Sequence, residues 1–188
     1  VLVTALRDPV RAPMVVFALL LNDDKSVRGR QLDVIRGEDS AEASSLTEEL
    51  FNHISGLTVL SRLPLAELSV SALRELSPGQ YAMFRTLVRR LIETDRQIDL
   101  FEYALEKCLD RHLAPAFEAT PRTIVQYYSI APLLEDIARV LSLVARVGHE
   151  NEEAGHRAYA EAVGSLGPAA ASLPMFPAAQ AGLAQADE

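Results

Sequence analysis

Glu93, Asp95, Asp99 and Glu102 fall within ten residues of one stretch, "ETDRQIDLFE". Carboxylates this dense can ligate a hard cation, share a proton, or start a helix. A calcium EF-hand loop wants D-x-[DN]-x-[DN]-G and an acid at the twelfth position. Counting from Asp95, the third position is Gln97 and the fifth Asp99, but the sixth is Leu100 where the turn needs Gly. Glu106 at the twelfth position keeps the length of that loop without its geometry. Helix physics accounts for half of the cluster. Asp99 and Glu102 have the D-x-x-E spacing of a reciprocal cap, and both charges favour the positive end of a helix dipole. Glu93 and Asp95 stand at the end of the preceding helix, where the dipole disfavours them, so Asp95 calls for water, Arg96 or a cation.

A second stretch, "GHENEEAGH", begins like the H-E-x-x-H of a zinc peptidase. Position 153 is Glu, however, and His156 follows His149 by seven residues, about 10 Å of helical rise rather than one turn. Glu152, Glu153 and His156 form at most a surface metal site, and a solvated acidic helix start is the competing reading. Serines at 61, 69, 71 and 77 lie in no G-x-S-x-G elbow, and no Gly-rich phosphate loop follows a strand. His53 and His112 are isolated. The only cysteine, Cys108, lies on an apolar stripe with Phe101, Ala104 and Leu105, as a small hydrophobe does. One cysteine permits no intrachain disulfide and fits a reducing compartment. Tyr127 and Tyr128 are read as half-core aromatics, with an exposed contact as the alternative.

The elements that must position these groups are helices. The 188 residues are 49% apolar, rich in Leu and Ala, and carry no long alternating run. A net charge of −8 gives no general attraction to nucleic acid or anionic lipid. "PMVVFALLL" offers nine apolar residues, well short of the roughly 20 of a membrane span. The chain opens at Val1 rather than Met, so further sequence is expected upstream.

Asp8 and Pro9 predict a helix running to about Leu21. Asp24 or Ser26 caps a short helix over 27–36, with Val27, Leu32 and Ile35 as its apolar side. "GEDSAEASS", residues 37–45, reads as a mobile connection. Ser45 and Glu48 then form a capping box ahead of Leu46, Leu50, Phe51 and Ile54. Pro64 separates that helix from another at 65–76. Ser77, Pro78 and Gln80 give the clearest start, followed by a stripe of Tyr81, Phe84, Leu87, Val88, Leu91 and Ile92. The next helix buries Phe101, Leu105, Cys108 and Leu109 and is broken by Pro115 and Pro121. A short helix is expected at 122–129, then a central core helix from Ile130 to Ala145, stopped by Gly148. Asn151 caps a last helix. The prediction is an all-α, compact multi-helix bundle forming one domain over 1–167. It has N-terminal helices at 9–36, core helices at 46–167, and an Ala/Pro-rich tail at 168–188 lying loosely along the surface.

Residues 64–113, with the run "LSPGQY…F…LI…D…IDLFE…L…HL", resemble the soluble C-terminal region of bacterial HtpX-like integral-membrane zinc metallopeptidases. The resemblance continues through "PRTIVQYYSIAPLLEDIARVLSLVARVGHENEEAGHRAYAEAV" and covers roughly residues 10 to 167. Residues 77 to about 111 are also similar to TerB-like helical domains, whose "aDG-x-i-x-x-x-E" turn has been proposed to bind metal. On that resemblance Asp95 matches the first Asp, Ile98 the apolar plug and Glu102 the helix acid, with Asp99 an added carboxylate. Arg96 stands where the family turn has Gly, and its guanidinium can neutralise Asp95 without a metal.

These resemblances imply a non-catalytic accessory or regulatory domain of a membrane zinc metallopeptidase, on the cytoplasmic side of the bacterial inner membrane and acting through protein–protein contacts. They imply no cofactor in this segment, the zinc being held upstream. Its partner would be the upstream peptidase and membrane domain or another protein, with self-association as a further candidate, and no nucleic acid or membrane insertion. The alternative is a divalent-cation module at Asp95, Asp99 and Glu102.

Overall fold

The computed structural model describes residues 2–94, 99–118, 126–149 and 151–181, without the side chain of Val59. The described residues are all-α: helices, one 3-10 turn and no strand. Among them no helix is long and apolar enough to cross a membrane. Contacts gather the chain into two units, 1–121 and 122–188.

The first unit holds α1 (Leu2–Ala5), α2 (Ala12–Leu20), α3 (Lys25–Glu38), α4 (Ala41–Ile54), α5 (Val59–Leu73), α6 (Pro78–Glu93) and α7 (Leu100–Phe117). All nine residues of α2, "APMVVFALL", are buried. A helix apolar on every side must be enclosed, and α1, α4, α5 and α6 enclose it. Phe17 of α2 stacks on Phe84 of α6, ring centroids 5.7 Å apart. This helix starts later than Asp8 and Pro9 suggest. Asp8 closes a local turn by accepting from the Val10 amide at 2.9 Å, and Pro13 occupies the first turn of α2, where its missing N–H costs nothing.

The C-terminal end of α2 is closed by Gln31 of α3, only 1% exposed. Its Nε2 donates to the Leu20 carbonyl at 2.9 Å and to the Leu91 carbonyl of α6 at 3.1 Å. Its Oε1 accepts from the Asn22 amide at 2.8 Å. One amide thus satisfies end groups of two helices. Asp24 caps α3 by accepting from the Ser26 and Val27 amides, which hold its carboxyl below the usual aspartate range.

Several breaks expected from composition are absent. The connection anticipated at 37–45 contracts to Asp39 and Ser40, and Ser40 rather than Ser45 caps α4. Ala43, Ser44 and Thr47 are buried, so these small residues are packing positions. The two hydroxyls are satisfied by helix carbonyls: Ser44 Oγ donates to that of Leu32 in α3, and Thr47 Oγ1 to that of Ala43. Pro64 lies inside α5 and faces solvent, while Leu65, Ala66, Ser69, Val70 and Leu73 bury the other side. An interior proline costs about 3 kcal/mol, which burying two Leu side chains offsets at about 2 kcal/mol each. Pro115 likewise sits within the last turns of α7.

α6 follows the sequence pattern closely. Ser77 and Gln80 form the capping box, and the six predicted stripe residues are all buried. In α7, Leu105 and Leu109 are buried as expected, joined by Leu113, while Phe101 and Cys108 are half-buried.

The second unit contains a 3-10 turn (Ala131–Leu133), α8 (Leu134–Val147) and α9 (Glu152–Ser165). The helix expected at 122–129 falls partly outside the described residues, and 126–129 are not helical. α8 and α9 pack around Ala138, Ala145, Tyr159 and Val163. Residues beyond 167 join this core: Ala170 is fully buried, and Leu173, Met175 and Phe176 pack against it. Polar groups fix this segment in place. Ser142 Oγ, itself buried, accepts from the Phe176 amide at 3.0 Å, and Tyr159 OH donates to the Pro174 carbonyl at 2.9 Å. α9 ends at Ser165, and Gly167 just past its cap has a φ of 105° that suits glycine.

Replacing Gln31 by Leu removes three hydrogen bonds in the first unit. Denaturant titration is expected to show a loss of about 3 kcal/mol, and a loss below roughly 1 kcal/mol would refute the role given to Gln31. Two glycines of α9 should respond with opposite signs. A Cβ at Gly155 would meet the Ala145 carbonyl oxygen at 3.0 Å, whereas one at Gly164 meets nothing within 4 Å. Gly155→Ala should lower the melting midpoint, at a cost of about 1 kcal/mol, and Gly164→Ala should raise it by roughly 0.5 kcal/mol.

Candidate functional site

The acidic stretch spans the end of α6 and the start of α7. α6 closes at Thr94, whose amide donates to the Leu91 carbonyl and whose Oγ1 donates to that of Arg90. At the head of α7 the reciprocal cap is complete. Asp99 Oδ1 accepts from the Glu102 amide at 2.8 Å, and Glu102 Oε2 accepts from the Asp99 amide at 3.1 Å. Glu102 is buried and Asp99 is exposed. Two of the three proposed metal ligands are therefore engaged in starting the helix. Asp95, together with Arg96 and Ile98, lies outside the described residues. Among the described residues no three His, Cys, Asp or Glu side chains form a metal-holding group. The cation reading consequently rests on Asp95 and on whichever oxygens of Asp99 and Glu102 the cap does not use.

A clasp of charges holds α6 to α7. Arg85 of α6 reaches Asp110 of α7 at 2.9 Å and Glu118 at 2.5 Å, and Arg89 lies 3.6 Å from Glu106. Tyr81 stacks on Phe117 with centroids 4.1 Å apart, and burial pushes its hydroxyl above the usual tyrosine value. Cys108 shares this fate: burial, then the charge of Glu67, raise its thiol, so it stays protonated and weakly nucleophilic. Arg90 pairs with Glu38 of α3. The charged groups and Tyr81 have structural partners, and among the described residues none of them converges with Cys108 into a nucleophile–base pair.

In the second unit, His149 precedes α9 and His156 sits in its second turn. His149 Nδ1 lies 3.0 Å from the Ala145 carbonyl. A carbonyl only accepts, so Nδ1 carries the proton and Nε2 is left as an acceptor in the neutral ring. His156 Nε2 is 3.9 Å from Glu152 Oε1. The two histidines do not form a peptidase pair.

α8 departs most from expectation. Ala138, Ser142, Leu143 and Ala145 are buried, but Val140, Val144 and Val147 are 44%, 48% and 55% exposed. They recur at i, i+4 and i+7, so they line one face. The apolar arc of this helix is wider than its partner covers. Ile130 and Tyr127 are half exposed and Tyr128 is 94% exposed, which favours the contact alternative for the two tyrosines. The sequence carried the signal as a helix with too many apolar residues for one seam, which read as a core position instead.

No family model matches the chain, and neither a curated protein nor a solved structure matches it.

Capping and metal binding at residue 99 make opposite demands on one substitution. Asn is as good an N-cap as Asp, so Asp99→Asn should keep most of the stability while Asp99→Ala loses about 1 kcal/mol. Calorimetry with calcium, magnesium, manganese and zinc provides the other arm, since a cation held by Asp99 would give a heat that Asp99→Asn removes.

Proposed function

We infer that this chain is a non-catalytic helical accessory module that works through protein–protein contact. The observation that carries the reading is the valine stripe of α8. Val140, Val144 and Val147 present β-branched side chains along one face, a pattern that in water is stabilised by a facing apolar helix or groove. The net charge of −8 is compatible with a protein partner and unfavourable for a nucleic acid or an anionic membrane surface. The resemblance to the C-terminal region of HtpX-like peptidases supplies the partner: the membrane and peptidase segments of the same polypeptide, on the cytoplasmic side of the inner membrane. In that setting the module docks on or regulates the protease and contributes no ligand to its zinc.

Two measurements test this reading. The gene upstream of Val1 should encode several membrane spans and an H-E-x-x-H helix, and a gene without them would end the assignment of the partner. A photo-crosslinker placed at Val144 in the full-length protein should then trap the upstream segment. Val140→Asp with Val144→Asp should abolish the cross-link and weaken docking roughly tenfold or more. As surface changes they should move the module's own stability by no more than about 1 kcal/mol. Unaltered docking by this double variant would refute the α8 face.

A further inference from the structure

A cleft of about 630 Å³ opens in the second unit between the end of α8, the first turns of α9 and the segment 175–178. That volume lies within the range of small-molecule sites. Met175, Phe176 and Pro177 supply an apolar floor. The floor is set in advance, because Ser142 holds the Phe176 amide and Tyr159 holds the Pro174 carbonyl. Arg146, His149 and His156 stand on the polar side.

Arg146 is the group that asks for a ligand. Two turns earlier, Arg139 pairs with Glu135 at 2.6 Å and Asp136 at 3.7 Å. Arg146 takes no ion pair or side-chain hydrogen bond among the described residues, in a chain with eight more acids than bases. A guanidinium beside an apolar floor suits a planar carboxylate, which it grips with two parallel N–H donors. Glu152 also lines the cleft; its charge opposes any anion, and a dianion such as phosphate about twice as strongly as a monocarboxylate.

We propose that this cleft binds a small monocarboxylate with an aromatic or aliphatic body, the carboxylate on Arg146 and the body against Met175 and Phe176. The site is separate from the valine stripe of α8 and goes beyond the docking role.

The test uses the whole chain with benzoate, hexanoate, benzamide and inorganic phosphate as probes. Calorimetry should give roughly millimolar affinity for benzoate or hexanoate, as ligands of this size attain in a partly open cleft. NMR should place their shifts on the Met175 methyl and on the rings of His149 and His156. Benzamide, neutral and of the same shape, should bind roughly tenfold more weakly, matching the loss of one charge-assisted contact. Arg146→Met keeps the unbranched apolar stem without the guanidinium and should weaken benzoate by a similar factor, while Arg157→Met, outside the cleft, should not. Three results would overturn the proposal: no shift at Met175 in the unmodified protein with either carboxylate at tens of millimolar (roughly ten times the expected Kd), equal binding of benzamide, or phosphate binding as tightly as benzoate. Retained benzoate affinity in folded Arg146→Met would do the same, and the Met175 signal decides the matter should that variant not fold.

Discussion

A helix with no polar face can exist in water only if other elements enclose it. α2 is such a helix, and the first unit is the solution to its burial. Each neighbour turns an apolar side toward it, and Phe17 on Phe84 is one of the contacts that result. Burial of that completeness leaves the ends of α2 as the problem, because orphan carbonyls there are cut off from water. Gln31 meets it with one side chain, and by also taking the Leu91 carbonyl it ties the end of α6 to the same point. Enclosure drives the packing, and this amide fixes which ends meet.

What could be read in advance depended on where the information lay. The starts of α6 and α7 are written in adjacent residues, Ser77 with Gln80 and Asp99 with Glu102, and a local signal survives folding intact. The stripe of α6 was legible for the same reason, since its six apolar residues share one face. Pro64 and the small polar run at 37–45 misled because their local preference is overruled by burial on the far side of α5 and within α4. Gln31 was not legible at all. Its partners lie 9, 11 and 60 residues away, and nothing in the type of a glutamine announces them. The candidate site was half legible. Capping explained Asp99 and Glu102, whereas Asp95 lies outside the described residues.

The two units solve the problem of a core differently. The first has a large apolar interior, and its charged groups, such as Arg85 with Asp110 and Glu118, act at the seams between helices. In the second, small residues allow α8 and α9 to approach until Gly155 meets the Ala145 backbone. A core of alanines buries little area per residue, so a stretch without helical periodicity is recruited to complete it. The same economy leaves the valines of α8 outward and gives the second unit both of the surfaces to which a function is assigned.

The attachment of residues 170–176 has a bearing on the order in which the protein is made. The elements that enclose α2 are all present once Phe117 has left the ribosome, so the first unit can fold while the rest of the chain is still being synthesised. α8 and α9 have no such opportunity. Their core lacks Ala170, and Ser142 and Tyr159 lack their backbone partners, until Phe176 has emerged. During that interval a nascent pair of helices exposes apolar surface on both sides of α8. It is then that the apolar surface of the second unit is most accessible to other proteins.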